Sequence, residues 1–244
     1  MEIEYEKKYH EVETDNWWFV SRRQYLLDIL KNVSKDSKIL DIGCSSGIFL
    51  KDLERLGFKL ENLFGIDISE KAIANCKTNG IQNAFVMDAQ KISLSEQFDI
   101  IVASDCLEHL RDDTAAIKNW TNLLKTGGKL CVFVPAFQSL WSKHDEVNMH
   151  FRRYTNKELK EKLIAENLTI LKSSYWNFFL FVPLYFFRKL DAIFSRNKKK
   201  EGQIIDGAIT NVILLKLLLF ENRLLKYINF PFGVSTFCLV EKRN

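Results

Sequence analysis

Proline and glycine are scarce in this chain of 244 residues, at three and ten. That excludes collagen-like repeats and Pro/Gly-rich low-complexity linkers. The five cysteines, Cys44, Cys76, Cys106, Cys131 and Cys238, are odd in number and form no C-x-x-C pair. A disulfide framework and a cysteine zinc site are both disfavoured, and no metal is expected. No apolar leader opens the chain, so reduced thiols in a cytoplasmic protein are the expectation. The most apolar run, Phe178 to Phe187, is too short to cross a bilayer and contains Pro183.

What is present is a hydrophobic share of 47% beside a charged share of 27%. Those values exclude a disordered chain and a coiled-coil rod, and the length allows one large domain or two small ones. Aromatic residues are abundant, with 19 Phe, 5 Trp and 7 Tyr. The net charge of +4 is uneven: residues 1–150 hold 18 Lys/Arg against 23 Asp/Glu, and residues 151–244 hold 17 against 8. The halves are thus −5 and +9. Either the clustering is a solvated surface, or the basic part meets anionic lipid or phosphate.

Short apolar runs alternate with helical spacing. Strands are expected at Lys38–Ile42, Leu63–Ile68, Ala84–Met87, Phe98–Ala103 and Lys129–Val134. Helices fall between them, one stopped by Gly57, one capped by Ser69 and one over Asp112–Leu124, and Lys125–Gly128 reads as a turn. A helix over Asn156–Glu166 and strands at Leu168–Tyr175 and Ser235–Glu241 follow. This order predicts a doubly wound α/β sheet. The expected divisions are N-terminal helices over 1–37, an α/β core over 38–176, a helical insertion over 177–232, and a final core strand over 233–244.

The turn Asp41-Ile42-Gly43-Cys44-Ser45-Ser46-Gly47 joins a strand to a helix, where small residues let a ligand approach the backbone. Asp67 closes the next strand, where a carboxylate can accept from both hydroxyls of a ribose. The pyrophosphate fingerprint G-x-G-x-x-G is absent, and the acidic residue opening the turn suits a cationic ligand. Ile39–Gly47, Gly65-Ile66-Asp67-Ile68, Met87-Asp88-Ala89, Phe98–Ile101, Leu107-Glu108-His109-Leu110 and Leu124–Leu130, in this order, resemble the class I S-adenosylmethionine-dependent methyltransferases, and most closely their type 11 and type 12 small-molecule branch. Ser45 stands where that family usually has glycine.

The resemblance implies a Rossmann-like seven-stranded sheet of order 3-2-1-4-5-7-6, with S-adenosylmethionine as cofactor and S-adenosylhomocysteine as product. It places Asp41, Gly43, Cys44, Ser45 and Gly47 along the methionine moiety, Asp67 at the ribose, Ile68 and Ala89 beside the adenine, Asp88 at its amino group, and Ser104 and Asp105 near the sulfonium. The helix Asn16–Arg23 resembles a W-W-F-x-x-R-R segment of the same proteins; it is either a lid, with Arg22 or Arg23 reaching the cofactor carboxylate, or an aromatic helix packed on the sheet.

Methyl transfer to a hydroxyl benefits from a general base. His109, His144 and His150 follow the fourth and fifth strands and are the catalytic candidates. The segment Leu140–Tyr154 carries Trp141, His144, His150, Arg152, Arg153 and Tyr154 and reads as an acceptor loop; the competing reading pairs Asp145 and Glu146 with the two arginines. In the insertion, Ile209 to Ile228 has amphipathic spacing, with Asn211, Lys216, Glu221 and Asn222 polar, which fits a core or dimer helix or one lying in a membrane interface. Leaving from the substrate edge, the insertion should roof the acceptor site. The expected activity is methyl transfer to an oxygen of a small-molecule, saccharide or lipid-linked acceptor, with peripheral contact to an anionic membrane. The alternative is a non-catalytic cofactor-binding or membrane-associated protein. No D/N/S-P-P-aromatic motif follows the fourth strand, no Pro-Cys nucleophile exists, and no nucleic-acid partner is expected.

Overall fold

The computed structural model describes residues 12–194 and 207–243. Trp17–Leu30 forms helix α1, Ile39–Ile42 strand β1, Ile48–Arg55 α2, Leu63–Asp67 β2, Glu70–Thr78 α3, Ala84–Val86 β3, Phe98–Ser104 β4 and Asp113–Leu123 α4. Leu124–Pro135 is β5, Lys143–Val147 α5, Asn156–Ala165 α6, Leu168–Trp176 β6, Phe181–Phe194 α7, Ala208–Leu224 α8 and Ser235–Lys242 β7. The basic run Arg196–Lys200 lies outside the described residues.

Among the described residues one sheet has the order β3-β2-β1-β4-β5-β7-β6. Strands β1 to β5 pair in parallel, and β7 runs antiparallel between β5 and β6. This is the order that the resemblance implies. Every residue of β1 is buried, as a central parallel strand requires. Its side chains alternate, with Leu40 and Ile42 entering one hydrophobic cluster and Ile39 the other. The first cluster takes Trp120 from α4 and Leu159 and Leu163 from α6; the second takes Tyr25 from α1, Leu50 from α2 and Leu218 from α8. Helices thus cover both faces.

Local signals explain the boundaries. Ser69 caps α3 by accepting from the Ala72 N–H at 3.2 Å, and Asp112 caps α4 by accepting from Ala115 at 2.9 Å. The expected turn at Lys125–Gly128 lies inside β5, as an excursion: Phe98 pairs with Leu124, but Ile100 already pairs with Lys129. Gly128 is needed there, because a Cβ would stand 2.8 Å from the Lys125 carbonyl oxygen. Pro183 sits in the first turn of α7 rather than breaking it, where no amide hydrogen is required.

Helix α8 turns several polar side chains to the protein and part of its apolar surface outward. Asn211, Glu221 and Asn222 point inward, while Ile209, Val212, Ile213 and Phe220 are exposed. Asn211 accepts from the Trp17 N–H at 2.7 Å and Asn222 donates to the Ser21 carbonyl at 2.8 Å, which docks α8 on α1. Asn222 also accepts from the Trp176 indole at 2.9 Å. Glu221 accepts from the backbone N–H groups of Asn177, Phe178 and Phe179, the first two at 2.5 and 2.8 Å. Among the described residues of the insertion, α7 meets the expected acceptor side through Arg188 donating to the Leu140 carbonyl and Phe181 packing edge-on to Phe137.

Candidate active site

The carboxyl ends of β1, β2, β4 and β5 gather at one edge of the sheet. After β1 the backbone turns through Gly43, Ser45 and Gly47, at φ +76°, +49° and +74°. A Cβ on Gly43 would lie 3.3 Å from the Cβ of Cys106, so the turn is tight as well as left-handed. The Gly43 and Cys44 amides donate to the Ile66 carbonyl at 2.8 and 3.0 Å, tying the turn to β2. Ser45 holds its uncommon conformation through two bonds: its N–H donates to Asp67 Oδ2 at 3.1 Å and its hydroxyl to Glu13 Oε2 at 2.7 Å.

A groove opens here, lined by Glu13, Arg22, Asp41, Gly43, Ser45 and Asp105 among others. Asp41 is buried, and desolvation together with the nearby charge of Asp67 pushes its carboxyl up to about 7. Asp67 closes β2 and accepts from Ser69 N–H at 2.9 Å through its second oxygen. Ile68 beside it is 74% exposed. Asp88 follows β3 and accepts from the Gln90 N–H at 2.8 Å, while the Ala89 carbonyl accepts from the Trp120 indole at 2.8 Å. Gly47 caps α2 below the turn. Ser104 and Asp105 line the far wall.

Two expected positions differ in detail. The Cys44 thiol turns into the core, 3.7 Å from the Cys76 sulfur, leaving the residue's backbone to the groove. Arg22 is buried and its guanidinium is held by Asp105 and by Ser235. It lies 4.8 Å from the centroid of Trp18 and 4.9 Å from that of Trp176. Arg22 therefore forms part of the wall rather than an extended arm. Arg23 donates to Asp52 and to the carbonyls of Glu13 and Thr14.

Beyond β4 and β5 the three histidines meet. The rings of His109 and His150 cross edge-on with centroids 4.6 Å apart, and His144 lies 6.3 Å from His150. Asp145, fully buried, organises the loop. It accepts from His150 Nδ1 at 2.9 Å, Arg153 Nε at 2.7 Å and the Ser142 N–H at 2.9 Å. Burial opposes the charge, but the His150 bond and the Arg153 guanidinium hold the Asp145 carboxyl far below the usual carboxylate range. Burial lowers His109 to about 3 and His144 to about 4, so both imidazoles are neutral at pH 7. The two arginines divide: Arg153 turns in to Asp145, and Arg152 turns out to Asp113, 2.9 Å away. Tyr154 donates to the same Asp113 at 2.8 Å. The loop is thus both ion-paired, on a different pattern from Asp145/Glu146 with Arg152/Arg153, and gathered around three histidines.

Two residues here escaped the sequence reading. Glu13 reaches the turn from 32 positions away, with no motif to announce it. Glu108 was visible only as part of Leu107–Leu110, yet it is completely buried.

Residues 40–132 match the methyltransferase domain family. The chain is 27% identical over 133 residues to a ubiquinone biosynthesis O-methyltransferase of Xanthomonas oryzae pv. oryzae, covering 48% of this chain and 54% of that protein. It is 31% identical over 100 residues to the protein of the same name from Nitrosococcus oceani, covering 38% and 41%. It therefore spans about half the length of the curated relatives it matches. Among solved structures, the fold is shared with the N-methyltransferase NodS from Bradyrhizobium japonicum in complex with S-adenosyl-L-homocysteine, with a TM-score of 0.59, 18% identity and coverage of 95% and 91%. It is also shared with a complex between the Haloferax volcanii Trm112 methyltransferase activator and a putative methyltransferase, at 0.65, 13%, 98% and 95%. Residues 40–132 thus match a methyltransferase domain, set within the sheet order and the turn after β1 that the resemblance to class I S-adenosylmethionine-dependent methyltransferases implies.

Proposed function

We propose that the protein transfers a methyl group from S-adenosylmethionine to an oxygen of a small or lipid-linked acceptor. The observation that carries this is the juxtaposition, at one sheet edge, of an acidic groove with the His/Asp/Arg loop. The groove fits the cofactor on two counts. Asp41, a buried carboxyl raised by its surroundings, is relieved by a cationic ligand. The left-handed turn at Gly43 leaves room that a Cβ would fill. Asp67 would take the ribose hydroxyls, Ile68 and Ala89 the adenine, and Asp88 its amino group, with Asp41, Gly43, Ser45 and Gly47 along the methionine part. The bound cofactor supplies an electrophilic methyl on a sulfonium.

The protein's own part is to align the acceptor and exclude water. Ser104 and Asp105 line the groove just before Glu108 and His109 in the chain. We assign removal of the acceptor proton to His144, His150 and His109, and Asp145 fixes the ring of His150. A ubiquinone precursor, the acceptor implied by the relatives' name, is an aromatic hydroxyl on an apolar tail, and the exposed Phe186 and Phe187 of α7, with Phe179 just before it, suit such a tail. The outward apolar face of α8, with Lys216, Arg223 and Lys226 on the same helix or just after it, suits an anionic lipid surface from which that acceptor is drawn. No helix among the described residues is long and apolar enough to cross a membrane.

Calorimetry with S-adenosylmethionine and transfer of labelled methyl to cell extract test the reading. Asp67→Ala should weaken cofactor binding roughly 10- to 100-fold, the loss of charge-assisted hydrogen bonds. His144→Ala and His150→Ala should bind cofactor normally and lose turnover. Cofactor binding with no methylated product in any extract would instead support a non-catalytic role, and no cofactor binding at all would overturn the proposal.

A further inference from the structure

We propose that Glu108, His109 and His150 form a binding site for a divalent transition-metal cation. One potential ligand atom from each of these residues lies within 4.8 Å of the others. Glu108 supplies the independent reason for a cation. It is completely buried, and neither carboxylate oxygen has a hydrogen-bond partner among the described residues. A buried polar group without a hydrogen-bond partner is costly, and a ligand that meets both oxygens would remove that cost. Arg22 and Arg153 act on it through their charge, but their guanidinium N–H groups are bonded to Asp105 and Asp145.

The two histidines are prepared as ligands. His150 Nδ1 faces Asp145, leaving Nε2 as the lone-pair nitrogen, and the carboxylate behind the ring fixes that tautomer. His109 hydrogen-bonds through its ring to the Asn148 backbone, which leaves its other nitrogen to coordinate. Each histidine thus has the oriented outer partner usual behind a metal-bound imidazole. Bonds of about 2.0–2.2 Å place ligands about 3–4 Å apart, so shifts of under about 1 Å close the set. Two imidazoles and one carboxylate favour zinc, cobalt, manganese or iron(II) over calcium, and leave positions open. The expectation of no metal rested on cysteine spacing, which is blind to a site built from Glu and His.

The metal site stands apart from the proposed activity, but its use rests on that reading. A cation here would bind the acceptor oxygen and ease its ionisation, as metals do for bound water. That assigns His150 and His109 to coordination and leaves His144 as the base.

The chelator-treated full chain should bind one cobalt(II), followed by visible absorbance, and one zinc(II), followed by calorimetry. Glu108→Gln, His109→Ala and His150→Ala should each lower the affinity at least tenfold. Asp145→Asn, acting through His150, should lower it roughly 10- to 100-fold. Binding of S-adenosylhomocysteine by each preparation reports that the fold survives and tests the cofactor reading separately. A wild-type chain that binds S-adenosylhomocysteine but neither metal, or variants that bind metal as tightly as the wild type, would overturn the site. Metal binding without S-adenosylhomocysteine binding would support the site and reject the cofactor reading.

Discussion

Two carboxylates set the character of the cofactor groove. Asp41 enters buried from β1 and Asp67 closes β2 beside it; burial first, and the nearby charge of Asp67 second, raise Asp41 to about 7. A raised carboxyl is mostly protonated below that pH and mostly charged above it. Affinity for S-adenosylmethionine should therefore rise roughly tenfold between pH 6 and pH 8, following the ionised fraction. Asp41→Asn should flatten that profile, and calorimetry at the two pH values measures both. Ser45 shows what the sequence could reveal at this scale. Its left-handed φ follows from the glycine expected there, but the Glu13 carboxylate that steadies its hydroxyl lies in a segment without any motif. Glu108 is the converse, since its position was plain and its burial was not.

At the scale of elements, the segment between β5 and α6 is tied together by Asp145. Arg153, almost fully buried, donates to Asp145 and also to the Ala136 carbonyl at 2.9 Å, joining the loop to the end of β5. Arg153→Met should destabilise the chain by about 3–5 kcal/mol, because it strands a buried carboxylate. Chemical denaturation at pH 7 reads this. The sign with pH follows from the depressed carboxyl: the pairing stabilises above the ordinary carboxylate range and is lost as pH falls through the folded value. Glu221 plays a similar part beneath the insertion, receiving three consecutive backbone amides after β6. Glu221→Ala should cost at least about 1–3 kcal/mol, the penalty of leaving such donors unmet. A smaller loss in the same denaturation experiment would show that water replaces the carboxylate. The strands were legible because parallel strands buried on both faces read as apolar runs, as Ile39–Ile42 does. The facing of α8 was not legible. Periodicity tells which residues share a side, but not that the loop at Asn177–Phe179 and the Trp176 indole need acceptors from the polar one.

Across the whole molecule the uneven charge of the sequence acquires a location. The acidic groove belongs to the first 150 residues, and the exposed apolar side chains of α7 and α8 belong to the basic remainder. Flotation with anionic liposomes at low salt should recover the full chain, and a double change of Ile213→Glu and Phe220→Glu should leave it in the aqueous fraction with cofactor affinity unchanged. Equal recovery of both would show that α8 is not the contact surface. The order of the sheet was legible only through the family resemblance; the residues themselves announced a doubly wound sheet, with the motifs at strand ends, where such a fold binds its ligand.

The placement of β7 governs how the chain can be made. Strand β6 has β7 as its sheet partner, and β5 meets its second neighbour in β7. Until residue 242 has been synthesised, β5 is an open edge and β6 is unpaired. Sheet completion therefore waits for the whole insertion, and a nascent or truncated chain that stops before Ser235 exposes an adhesive strand edge. Yield from a cell should depend on how well that late interval is protected, by slow translation beyond β6 or by chaperone binding.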